Sequence, residues 1–133
     1  MAQGPTPGSG DIRPLLLSAW ESAAVFRHLL PLLTGRQRDR MKALQALAQR
    51  SVEALKGIQT LSGNPAGKLQ PPPIPKEPAR RLLEKSYHRS LRLMTEYTAR
   101  GLDPEYGTVY QGLADREREV GMLLAELIGG MEK

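Results

Sequence analysis

Two glutamates stand where helical spacing predicts apolar side chains. Around "ADREREVGMLLAELI", Leu113, Glu117, Val120, Leu124 and Leu127 recur at steps of 4, 3, 4 and 3 and share one helix face. In "PLLLSAWESAAVFRHLL", Leu17, Glu21, Ala24 and His28 recur in the same manner, with Trp20, Val25 and Phe26 nearby. A carboxylate on a core stripe must be satisfied or neutralised. Where two such groups meet, they share a proton, a cation joins them, or an Arg, a His or water satisfies them. His28, two turns after Glu21, reads either as a further metal ligand or as a hydrogen-bonded histidine near a helix end.

The remaining polar groups offer less chemistry. His88 and Glu84 are an i, i+4 pair on a solvated face. Glu53 and Glu119 fall off the apolar seams and read as surface groups. Tyr87, Tyr97, Tyr106 and Tyr110 read as core-edge residues whose hydroxyls reach water or a buried carboxylate. There is no Gly-rich phosphate loop, no Ser-His-Asp arrangement and no zinc signature, so no catalytic residue is assigned. The chain has no cysteine, which excludes disulfides, thiol catalysis and thiolate metal sites.

Helices must position these groups. The 133 residues suggest one domain. With one Phe and one Trp, the core must be mostly Leu, Ala, Val and Met, which favours packed helices over a sheet. Residues 1–11, "MAQGPTPGSGD", read as a disordered arm without a secretory signal. Apolar runs such as "LLPLL" are too short to span a membrane. Asp11 and Pro14 suit the start of a first helix over about 12–30, and Pro31 and Gly35 punctuate its end. A second helix over about 36–61 carries the seam Met41, Leu44, Ala48, Ser51, Leu55 and Ile58. A third over about 78–100 places Leu83, Tyr87, Ser90, Met94 and Tyr97 inward. Asp103 and Pro104 open a fourth over about 104–129, stopped by "GG".

Six prolines fall within "NPAGKLQPPPIPKEP", so residues 62–77 read as a stiff, extended connection. Each flanking half holds only one helical hairpin, which buries too little surface alone. The connection is therefore expected to be a crossover within one domain. The second and fourth helices align at a shift of 69 residues, pairing Leu44 with Leu113, Leu55 with Leu124 and Ile58 with Leu127. The Trp, Gly, Tyr and Ala pattern of 34-residue helical repeats is missing. A duplicated hairpin closing into one four-helix bundle fits better.

The texts "LAQRSVEALKGIQTLSG", "ADREREVGMLLAELIGG", "SYHRSLRLMTEYTARGLDPEYG" and "WESAAVFR" resemble the helices of small bacterial ferritin-like proteins related to rubrerythrin. The resemblance covers about residues 12–130 and implies an all-α, ferritin-like four-helix bundle in a cytoplasmic protein. The family's di-iron chemistry takes a Glu from each of helices one and three and a Glu-x-x-His from each of helices two and four. Carried onto this chain, those positions are Glu21, Ala48, Ser51, Ser90, Glu117 and Val120, with 27 residues between the first two Glu positions of each half. Glu21 and Glu117 remain; Ala48, Ser51, Ser90 and Val120 stand where ligands are lost. A di-iron pair needs roughly four carboxylates, so no cofactor is expected. If Glu21 and Glu117 meet, Ser51 and Ser90 make a hydrated polar pocket the expected surrounding.

The leading expectation is a degenerate ferritin-like protein acting as a structural or interaction module, a homo-oligomer or the binder of a protein partner. The alternative is a residual metalloprotein that binds one iron or manganese ion through Glu21 and Glu117, aided by His28, for iron or peroxide chemistry. A net charge of +5 keeps a basic-surface nucleic-acid binder as a second alternative. Its basic residues are spread along the sequence among acids, without a nucleic-acid motif.

Overall fold

Each apolar stripe becomes one helix. The computed structural model describes residues 12–62, 70 and 72–131. Within them, α1 spans Arg13–Leu29, α2 Gly35–Leu61, α3 Ala79–Ala99 and α4 Gly107–Met131, with a 3₁₀ turn at Leu30–Leu32. No strand occurs among the described residues, and no helix among them is long and apolar enough to cross a membrane. The expected N-terminal arm, the Asp11 cap and much of the proline-rich connection lie outside the described residues.

The local signals act at the helix ends. Pro14 sits in the first turn of α1, where its missing N–H costs nothing. The 3₁₀ turn contains Pro31, and Gly35 then takes φ +58°, a left-handed conformation that glycine adopts without strain, as the chain turns into α2. Before α4, the Asp103 carboxylate accepts the backbone N–H groups of Glu105 at 2.9 Å and Tyr106 at 2.6 Å. That turn occupies residues 104–106, so regular helix begins at Gly107 rather than at Pro104. At the other end, α4 runs through Gly129 and Gly130 to Met131, whose side chain packs against the core and carries the helix past the expected glycine stop.

The cross-helix bonds fix the helix directions. Ser18 and Ser22 of α1 meet Arg92 and Arg89 of α3. Arg40 and Ser51 of α2 meet Glu126 and Arg116 of α4. Ser90 of α3 meets Glu117 of α4, while Gln111 reaches back to the Gly101 carbonyl. Each of these pairs is antiparallel, so α2 and α3 point the same way. The closest packing is between α3 and α4 and between α1 and α2, with α1 and α4, and α2 and α3, on the diagonals. The result is an all-helical, bundle-like arrangement of four helices.

The core faces differ in detail from the expected stripes. On α1, Leu16, Ala19, Ala23 and Phe26 are buried, whereas Leu17, Glu21 and Ala24 are half-buried and His28 is exposed. Leu15, Leu16, Phe26 and Leu29 carry more apolar area than the Leu17–His28 stripe, and burying them rotates the helix. On α3 the buried set is Leu82, Leu83, Ser86, Arg89, Ser90, Leu93 and Tyr97; Tyr87 and Met94 move to its flank. Tyr97 and Tyr110 are fully buried rather than at the core edge. Glu84 pairs with Arg80 at 3.6 Å, and His88 packs edge-on against Tyr87.

Candidate functional site

The helices deliver a layer of polar side chains across the middle of the apolar core. Ser22 comes from α1, Ser51 from α2, Ser86, Arg89 and Ser90 from α3, and Glu117 from α4, and all six are buried. Each lies on a helix face that is otherwise mostly apolar, so each must find its partner inside the protein.

Arg89 organises one half of the layer. Its guanidinium pairs with the Glu21 carboxylate at 3.1 Å and donates hydrogen bonds to the hydroxyls of Ser22 at 3.2 Å and Ser86 at 3.3 Å. Small residues at 22 and 86 leave room for a guanidinium between α1 and α3. Burial lowers the Arg89 pKa, while the negative charges of Glu21 and Glu117 oppose that shift. An arginine stays charged through such a perturbation.

Glu117 organises the other half. Burial pushes its carboxyl up to about 7, against the hydrogen bond from Ser90 and the nearby charges of Arg89 and Arg116, which act to keep it ionised. The Ser90 hydroxyl lies 2.6 Å from Glu117 Oε2 and 3.1 Å from the Glu117 main-chain oxygen. That hydroxyl has one proton to give. With Glu117 ionised, Ser90 donates to the carboxylate. With Glu117 protonated, the carboxyl donates to Ser90, which then donates to the main-chain oxygen. The pair therefore accommodates either protonation state without leaving a polar atom stranded. Gly121, one turn on in α4, leaves space beside Ser90: a Cβ there would stand 3.7 Å from its hydroxyl oxygen.

Two further groups border the layer. Arg116, half-buried, donates to the Ser51 hydroxyl at 3.4 Å. Tyr97 has its phenol pKa raised, first by burial and then by the charge of Glu117. On the outside, a groove between α3 and α4 of about 230 Å³, walled by Tyr87, Leu91, Met94 and Met122, reaches Ser90 and Glu117. A wider depression of about 710 Å³ adjoins it at Tyr87 and Ala125.

The sequence positions fall as follows. Ala48, Ser51, Ser90, Glu117 and Val120 are buried, and the Glu21 side chain is 28% exposed. Glu21 and Glu117 both act on Arg89, and it is this arginine that the sequence reading missed. The signal was present in the recurrence Leu82, Ser86, Arg89, Leu93, Tyr97, but an arginine on a charged-looking helix reads as solvated. His28 lies exposed near the end of α1, away from the layer. Glu53 and Glu119 are exposed, as their off-seam positions suggest.

The donor set does not fit a metal pair. Ala48 and Val120 offer no ligand atom, Ser51 and Ser90 offer neutral hydroxyls, and Glu21 is already held by Arg89. Among the described residues, no group of three or more His, Cys, Asp or Glu side chains converges to hold a metal ion. What the arrangement can do is keep one carboxyl poised between protonation states near neutral pH, at the floor of an apolar groove. Comparison with protein-family models, with curated proteins and with solved structures finds no match to this chain.

Proposed function

We propose that this chain is a degenerate ferritin-like bundle, with two hairpins joined by a long proline-rich crossover, that acts as a structural or interaction module. The observation that carries the reading is the Arg89 guanidinium seated between Glu21, Ser22 and Ser86. A fixed organic cation there supplies the positive charge that a metal would bring to Glu21. Ser90 does the corresponding service for Glu117 by hydrogen bonding. The parallel course of α2 and α3 supports the ferritin-like connectivity. Exposed Leu91 and Met122 beside the α3–α4 groove support self-association. The resemblance of the helix texts supports a bacterial cytoplasmic setting.

The test is metal content after purification without chelator, and again after addition of iron or manganese. The expected result is less than about a tenth of an equivalent in both, unchanged in a Glu21→Ala plus Glu117→Ala variant. Stoichiometric uptake that this double substitution abolishes would overturn the reading in favour of a metalloprotein.

A further inference from the structure

Basic residues that are dispersed along the sequence are gathered by the fold. The polar layer divides the bundle into two halves. The Arg40–Glu126 pair places the start of α2 beside the end of α4, and the end of α1 and the start of α3 lie in that same half. The stretches 24–46, 76–88 and 122–131 that build it contain nine Lys or Arg and four Asp or Glu. The other described residues contain eight of each. The surplus of five at this one end equals the net charge of the whole chain.

Three of the nine cations are paired: Arg40 with Glu126, Arg80 with Glu84 and Lys85 with Glu77. Arg27, Arg36, Arg38, Lys42, Lys76 and Arg81 are exposed and make no ion pair among the described residues. Unpaired, solvated cations on one end of a rigid body attract a polyanion and retain their donors for it.

We propose that this end docks on the phosphate backbone of a nucleic acid. Six of the nine cations are arginines, whose planar fork matches phosphate oxygens. They are also distributed down the sides of the bundle: Arg36 and Lys42 are six residues apart on α2, about 9 Å at 1.5 Å per residue. That spread follows a curved backbone better than a flat bilayer. A bilayer would favour the other end, where Leu61 and Leu102 are 77% and 93% exposed and no positive surplus exists. No base-reading motif accompanies these cations in the sequence, so binding should be indifferent to base sequence. This names a partner class for the interaction module proposed above. It rests on the charge distribution alone, so metal content and nucleic-acid binding fail or succeed separately.

The experiment is fluorescence anisotropy of the full chain with a labelled duplex DNA and a labelled single-stranded RNA, each of about 20 units, across a salt series. Three neutralisations at the basic end (Arg36→Gln, Arg38→Gln, Arg81→Gln) are compared with three in the other half (Arg13→Gln, Arg92→Gln, Arg118→Gln). Circular dichroism confirms that both variants remain helical. Binding is expected at about 50 mM salt, falling roughly a hundredfold by about 200 mM. The first variant should lose at least about tenfold in affinity and lower the salt slope by two to three, and the second should change by less than about twofold. Absence of binding at low salt, equal losses in both variants, or retention on phosphatidylserine vesicles without retention on either nucleic acid would each overturn the proposal.

Discussion

At the scale of single residues, Glu117 has a measurable signature. Its carboxyl is raised from 4.5 to about 7 in the folded protein. Between those values the native state holds a proton that the unfolded chain has released. This group's contribution to stability is therefore complete below about pH 4.5, falls as pH rises through the window, and is lost above about 7. Glu117→Gln keeps the shape and the bond to Ser90 but cannot ionise. In urea unfolding across pH, the variant should gain on the wild type by on the order of 3 kcal/mol between acidic and mildly alkaline conditions. A constant difference between the two proteins would show that Glu117 titrates in the native state as it does in the unfolded chain. The sequence alone marked this residue, because a Glu at the middle of a Leu seam breaks its pattern. It did not mark Arg89, since guanidinium burial depends on serines from two separate helices making room, and such a coincidence exists only in three dimensions.

Among the elements, the α3–α4 hairpin is the most closely joined pair, and one glycine permits its approach. A Cβ on Gly107 would stand 2.6 Å from the Gly101 carbonyl oxygen, a backbone atom that cannot move aside cheaply. Gly112 lies five residues further along α4, and a Cβ there would meet nothing within 4 Å. The same substitution should therefore have opposite signs at the two sites. Gly107→Ala is expected to destabilise by about 1–3 kcal/mol. Gly112→Ala should stabilise by about 0.5–1 kcal/mol by removing backbone freedom from the unfolded chain. Thermal melts of the two variants decide the matter; equal effects would mean that the turn yields. Helix existence was legible from periodicity, and the punctuation at Pro14, Pro31 and Gly35 acted where expected. Helix rotation was less legible. On α1, two candidate faces each carry a credible apolar recurrence, and only packing against α2 and α3 selects the one with Leu16 and Phe26.

For the whole molecule, charge segregation sets a mechanical balance. Repulsion among the six unpaired cations at one end opposes folding and is screened by salt over about 10 Å at 0.1 M. The melting temperature should rise by a few degrees between about 20 and about 200 mM sodium chloride, and less in Arg38→Glu, where one repulsive centre becomes attractive. A melting temperature that falls with salt would show that attractive pairs such as Arg40–Glu126 dominate instead. The polar layer has a consequence of another kind. Above and below it the buried side chains are largely aliphatic, and such surfaces specify a register less sharply than paired polar groups do. Moving α3 by a single turn, about 5.4 Å, would take Arg89 from Glu21 and Ser90 from Glu117 together. It would also press a guanidinium against aliphatic side chains, at the cost of several kcal/mol for an uncompensated ion. The layer is thus an alignment mark: it admits one vertical setting of the helices where the greasy stretches on either side would accept several.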